Sequence, residues 1–301
     1  MKPRRRFRRA RALSFPPAFA ILILALGCSE GSRGEPKADE ATAAKAGPAA
    51  GMVAPEPEIK PVPTPTVPAM TPEEHFIDLK THAQNGDSDA LYTLGQYAYV
   101  GNLSEQDFAV AANYFRQAAQ AGHTDAMISL GTMYGEGKGV RRNLIEAGKL
   151  FKRGAERDNS LAQVSLAQMY LRGLGGGRPD YARALHWHQR AAQLGDPFGQ
   201  AGLASQHLLG QGTPKDPAKA VEWFRAAAEQ GLASAQVNLG SLYRSGSGVA
   251  GDNVEAYKWF SLAARQNDPT GIKARDALLP SLSDDQLAEA DKRLEAAPAQ
   301  Q

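Results

Sequence analysis

One six-residue phrase, returning at a fixed interval, constrains this chain more than anything else in it. Ala126-Met127-Ile128-Ser129-Leu130-Gly131 recurs as Ala162-Gln163-Val164-Ser165-Leu166-Ala167 and as Ala235-Gln236-Val237-Asn238-Leu239-Gly240. A weaker copy spans 90–95 and a decayed one 199–204. The anchors Ala90, Ala126, Ala162, Gly199 and Ala235 stand 36, 36, 37 and 36 residues apart. Self-similarity with a period of about 20–50 residues marks an array whose units bury their apolar faces only by stacking. The pattern predicts an all-α fold, a right-handed α-solenoid of about five helix-pair repeats with a capping helix at each end. Such a stack presents an extended concave surface, which suits binding better than catalysis.

Each repeat divides into two helices. Helix A reads Ala-x-x-x-Leu-Gly-x-x-Tyr. At about 100° per residue, Leu, Tyr and Gly fall within about 140° of the anchor and define one buried face. Tyr134, Tyr170 and Tyr243 hold the aromatic slot, with Ala98 and His207 replacing it in repeats one and four. A glycine loop follows, exemplified by Gly137-Lys138-Gly139-Val140 and Gly246-Ser247-Gly248-Val249. These glycines are expected to end helix A and turn the chain with positive φ. They lack the preceding strand and the Lys-Ser/Thr ending that a phosphate-binding loop needs. Helix B opens on a cap at constant offset, Asp107, Asn143, Asp180, Asp216 and Asp252. It continues as Ala-x-x-aromatic-aromatic-x-x-Ala-Ala, and the aromatic stripe reads as core rather than as a cofactor box. Thr71-Pro72-Glu73-Glu74 and Ser283-Asp284-Asp285-Gln286 look like capping boxes that open the terminal helices.

Residues 1–27 have a different character. Residues 1–11 hold seven basic residues and no acid, and the apolar run 18–27 is too short for the roughly 20-residue span of a bilayer helix. That is the pattern of a secretory signal. Leu24-Ala25-Leu26-Gly27-Cys28, which contains the single cysteine, resembles the lipobox of bacterial lipoproteins. The resemblance implies cleavage before Cys28 and lipidation there, giving a membrane anchor of several acyl chains. An ordinary signal peptide with an incidental cysteine is the alternative reading. Cleavage would change the formal charge of +2 by seven, to −5. A mildly acidic protein does not suit nucleic acid, whose binding rests on neutralising phosphates. Residues 28–70 form a Pro- and Ala-rich stretch with no aromatic residue. It reads as an extended, solvated tether at about 3.1 Å per residue, or alternatively as a Pro-rich ligand. The solenoid is placed at 71–297, followed by a fraying tail, 298–301.

The helix A and helix B motifs together, with the Gly-x-Gly-Val loop, resemble the Sel-one-like repeat family of helical-pair solenoids related to tetratricopeptide repeats. The resemblance covers nearly all of the chain from Thr71 onward. It implies a scaffold or adaptor rather than an enzyme, and bacterial exported members that contact envelope or host proteins. Some exported relatives carry a cysteine pair in each repeat; this chain has none, so nothing special to that subgroup carries over. His207 and the extra glycine of Gly175-Gly176-Gly177 depart from the pattern near repeats three and four.

No catalytic residue, metal ligand or cofactor is expected. His186 and His188 are two apart on one helix and point away from each other, and His75 and His82 share a face without a joining carboxylate or cysteine. His188 and His207 stand in core aromatic positions. A better candidate surface follows from helix geometry. Three and six residues after each anchor lie Thr93, Ser129, Ser165, Gly202 and Asn238, and Gln96, Thr132, Gln168, Ser205 and Ser241. By angle these ten face away from the core, and tetratricopeptide-type geometry puts helix A on the concave side. The uncharged ladder reads either as a solubilising surface or as a groove for a peptide, a protein segment or a glycan.

The expected role is therefore a scaffold anchored in the bacterial envelope that binds a protein or peptide partner on its concave face. Ser29 after Cys28 resembles sorting to the outer membrane, facing the periplasm. An accessory lipoprotein of an exopolysaccharide or secretion complex is the second reading. A hydrolase acting on cell wall or antibiotic is the third, and no constellation in the sequence supports it.

Overall fold

The computed structural model describes residues 71–101 and 105–296, which form thirteen α-helices and one short 3-10 turn. The signal-like segment, Cys28, the Pro-rich stretch and the tail lie outside the described residues. The A helices are α2 (Ser88–Val100), α4 (Thr124–Glu136), α6 (Ser160–Arg172), α8 (Pro197–Leu209), α10 (Ala233–Ser245) and α12 (Pro269–Leu278). The B helices are α1 (Pro72–Gln84), α3 (Phe108–Gln120), α5 (Leu144–Ala155), α7 (Tyr181–Gln193), α9 (Pro217–Glu229), α11 (Asn253–Arg265) and α13 (Asp284–Glu295). Each A helix from α2 to α10 packs against the B helix that follows it and the B helix before it, and α12 packs on α11 before it, giving an α-solenoid.

The predicted signals set the boundaries. Asp107, Asn143, Asp180, Asp216 and Asp252 each accept backbone N–H bonds from the first turn of their B helix. Both capping boxes form, at Thr71 with Glu74 and at Ser283 with Gln286. The loop between A and B is closed identically in every repeat. The amide of each cap residue donates to the carbonyl of the aromatic-slot residue, Ala98, Tyr134, Tyr170, His207 or Tyr243, at 2.8–3.1 Å.

Glycines in the loop do two jobs. Gly137, Gly173, Gly210 and Gly246 terminate their A helices in the left-handed region. Gly139, Gly212 and Gly248 also have positive φ and press on the preceding repeat, where an added Cβ would stand 2.1, 2.4 and 2.3 Å from the carbonyl oxygens of Phe108, Tyr181 and Pro217. The third repeat relaxes this contact: Gly175 is 3.7 Å from the Leu144 carbonyl oxygen by the same measure, and its extra glycines Gly176 and Gly177 meet nothing. The added residue of the 37-residue interval is thus taken up in an open loop.

The core follows the predicted stripes. Phe115, Phe151, Phe224 and Phe260 are buried, and three of these rings lie on glycines of their own repeat's A helix, Gly95, Gly131 and Gly240. Glycine there lets the helices come close, so large rings fill the interface without voids. Of the tryptophans, Trp187 and Trp259 are buried and Trp223 is half-buried. The repeats are also stitched along the stack. Arg153 donates to the Ala119 carbonyl at 3.1 Å, Gln230 to the Gly195 carbonyl at 3.0 Å and Arg157 to the Gly122 carbonyl. These donors meet carbonyls at or just past the ends of the preceding B helices, where the helix dipole favours positive charge.

The carboxyl-terminal cap departs from simple repetition. α13 packs on α11 rather than on α12, the helix before it. Leu294 joins the core cluster that holds Trp259 and Phe260. Arg293 fastens the contact by pairing with Asp252 and Glu255 of the α11 start. In earlier repeats the next repeat's glycine loop covers the start of the B helix; no such loop follows α11, and α13 takes its place.

Candidate functional site

α6 meets α8, and α10 meets α12, more closely than any two B helices of the five repeats meet each other. The ladder runs along the A helices, but its residues differ in access.

Asn238 is exposed, and Thr93, Gln96, Ser129, Gln168, Ser205 and Ser241 are partly exposed. Two positions depart from the expectation of an outward-facing ladder. Thr132 is 2% and Ser165 7% exposed, so neither offers a side chain to a partner. Helical angle alone gave the direction of both side chains and not their burial; Ser165 also turns its hydroxyl onto the Leu161 carbonyl of its own helix. Gly202 contributes no side chain and instead sits against the ring of His188.

Hydrogen bonding changes what the ladder can do chemically. The hydroxyls of Thr93, Ser165, Ser205 and Ser241 donate to the carbonyls four residues earlier at 2.8–2.9 Å. Asn238 donates to the Ser234 carbonyl at 2.9 Å in the same way. With those hydrogens committed inside the helix, the oxygens of these side chains are left as acceptors. The accessible part of the ladder thus offers hydroxyl and amide oxygens as acceptors and the remaining amide hydrogens of Gln96, Gln168 and Asn238 as donors, a set suited to the N–H and C=O groups of an extended peptide backbone.

Exposed apolar residues flank this stripe. Val100 stands one turn after Gln96 and Leu209 one turn after Ser205, and the two are 58% and 63% exposed. Sequence reasoning missed both, although their spacing of four from ladder residues would have placed them on the stripe. It also missed a buried glutamine in the position after the anchor. Gln163, Gln200 and Gln236 are buried there. Gln236 donates to the Ala228 carbonyl at 3.1 Å and accepts from Gln266 at 3.0 Å, and Gln200 accepts from Gln230 at 2.8 Å.

The histidines do not assemble a metal site. Among the described residues, no group of three His, Cys, Asp or Glu is placed to hold a metal ion. His186 is exposed and His188 buried, as their spacing requires. Burial pushes the His188 ring below the ordinary imidazole range, against the bond that its Nδ1–H donates to Gln206. Among the described residues, no helix is long and apolar enough to cross a membrane.

A Sel1 repeat model matches five consecutive segments, 88–123, 124–159, 160–196, 197–232 and 233–268. No curated protein matches the chain. Among solved structures, a Sel1 repeat protein from Oxalobacter formigenes is similar at 29% identity, covering 67% of this chain and 83% of that one, with a TM-score of 0.62. A putative Sel1 repeat protein from Klebsiella pneumoniae subsp. pneumoniae is similar at 21% identity, covering 67% of this chain and 98% of that one, with a TM-score of 0.45. The protective antigen c5321 of uropathogenic Escherichia coli, with an SLR fold, is similar at 24% identity over 74% of this chain and 63% of that one, with a TM-score of 0.39. Sel1 repeat proteins in general mediate protein–protein interaction, and the scaffold is typically non-catalytic. With its five matched units running unbroken through the helix pairs α2 to α11, the chain belongs to the Sel1 repeat family.

Proposed function

We propose that this protein is an interaction scaffold of the bacterial envelope that holds an extended segment of a protein partner along its concave A-helix face. One observation carries the reading: uncharged hydrogen-bonding side chains, Thr93, Ser205, Asn238 and Ser241, stand accessible on α2, α8 and α10, flanked by the exposed Val100 and Leu209. These groups match the N–H and C=O groups of an extended peptide, and the two apolar residues supply contact area at the margins. Within this reading Cys28 carries the lipid anchor, and residues 29–70 hold the solenoid away from the membrane, on the periplasmic side of the outer membrane. The lipobox-like sequence supports this part.

The test is site-specific photo-crosslinking in intact envelopes, with probes at Gln96, Gln168 and Asn238 and matched probes at Gln189 and Glu222 on exposed B-helix positions. The expected outcome is a discrete product from the A-helix probes only. Products confined to the B-helix probes would move the interface to the convex face and end this reading. Gln168→Trp with Asn238→Trp should remove the product while leaving the melting temperature unchanged.

A further inference from the structure

His188 stands where the other four repeats carry Phe115, Phe151, Phe224 and Phe260. It is fully buried. On its own repeat's A helix Ala167 replaces the usual glycine, and the ring lies against Gly202 of the next A helix, α8, where an added Cβ would lie 2.5 Å from Nε2. On the other side, Nδ1 bonds Oε1 of Gln206 at 2.8 Å. The amide orientation is fixed because Gln206 Nε2 donates to the carbonyls of Tyr181 and Gln211, each at 3.1 Å. Nδ1 of His188 is therefore the protonated nitrogen, and Nε2 is bare. That Nε2 has no hydrogen-bond partner. His207, next to Gln206, is also buried, and its Nδ1 likewise has none.

We propose that His188, Gln206 and His207 form an acid-sensitive joint between the third and fourth repeats, which opens when these rings take up a proton. A proton on His188 Nε2 would meet the Gly202 backbone with no acceptor, leaving a buried charge without a partner. Surrounding charges give little relief. α8 carries no charged residue apart from His207, and α6 carries only Arg172 at its last position. On α7, Arg183 pairs with Asp180 and Arg190 with Asp158. Asp196 is the carboxylate that acts on His188, and it already accepts from Ser160 and from the amides of Phe198 and Gly199. His207 feels Lys219 and Asp216 in opposite senses, and burial holds its ring below the ordinary range. Because a solenoid unit contacts only its neighbours, failure at this boundary would separate α1–α7 from α8–α13 without unfolding either block.

Hydrogen exchange on the full chain, read by mass spectrometry at about pH 7.5 and about pH 5.5 and corrected for intrinsic rates, tests the proposal. Protection in α7 and α8 should fall about tenfold or more at the lower pH, the factor equivalent to one pKa unit, while α3–α4 and α10–α11 keep theirs. His188→Gln keeps a polar group for Gln206 without titrating, and His207→Tyr restores the residue found in this slot in three other repeats; together they should flatten the response. His186→Gln, at an exposed histidine on the same helix, should preserve it. Acid opening spread evenly along the array would overturn the proposal, as would opening at α7–α8 that survives in the double variant. If the double variant does not fold, the wild-type map decides alone: protection at α7–α8 that is insensitive to acid ends the idea.

Discussion

Arg293 Nη1 lies 3.1 Å from Asp252 Oδ2, joining the last helix to the cap of α11 across 41 residues of sequence. The same guanidinium meets Glu255 at 3.2 Å and Glu289 at 2.8 Å. Asp252 thus has two roles: it caps α11 through backbone amides and anchors the terminal helix. Although burial works to raise it, the amide of Glu255 and the Arg293 guanidinium hold its carboxyl below the usual range.

Arg293→Ala should therefore release α13 while the five repeats stay folded. The pairs are partly exposed, so a loss of about 1 kcal/mol is expected rather than the larger cost of a buried pair. Exchange protection over 284–295 should collapse, with little change in α2–α9.

Gly139→Ala should be severe and Gly177→Ala nearly silent. The first places a Cβ 2.1 Å from the Phe108 carbonyl oxygen, at a residue with φ of +65°; the second meets nothing within 4 Å. Backbone cannot move aside cheaply, so a loss of about 2 kcal/mol or more is expected for the first and under about 0.5 kcal/mol for the second. Urea midpoints of the two variants compare them directly.

Gln236→Met should cost more than Gln163→Met. Gln236 uses both ends of its amide, whereas Oε1 of Gln163 has no partner. Methionine already fills this slot as Met127 in the second repeat. Losing the two bonds to the Ala228 carbonyl and the Gln266 amide should cost about 1–2 kcal/mol, and the Gln163 change, which loses one bond, less than that. Thermal melts of both variants give the order.

Stability should fall in two stages as pH drops. The buried rings of His188 and His207 have lowered folded values, so the unfolded chain takes up protons first. Their contribution is complete above the unfolded histidine value of about 6.5 and is lost as pH falls below it. Asp216 is held low by the amide of Lys219, and Glu289 by Arg293. With Asp252, these carboxyls add stability that is lost only below about pH 4. Melting temperatures recorded across this range should show the first stage vanish in His188→Gln with His207→Tyr and the second persist.

The helices and their order were legible before any packing was known. The 36-residue interval, the Asp and Asn caps, the loop glycines and the aromatic stripe are local or periodic signals, and each acts on the backbone within a turn or two of its own position. The sequence also marked repeats three and four as irregular, through His207 and the extra glycine. Which ladder residues reach solvent came from the packed structure alone: Thr132 and Ser165 share the helical angle of their exposed counterparts and are nonetheless buried. Only the packed structure showed that the His188 ring lies against Gly202 and bonds Gln206, and that α13 turns back onto α11. Those outcomes depend on tertiary packing, and a helical period gives the direction of a side chain without saying what comes to lie against it.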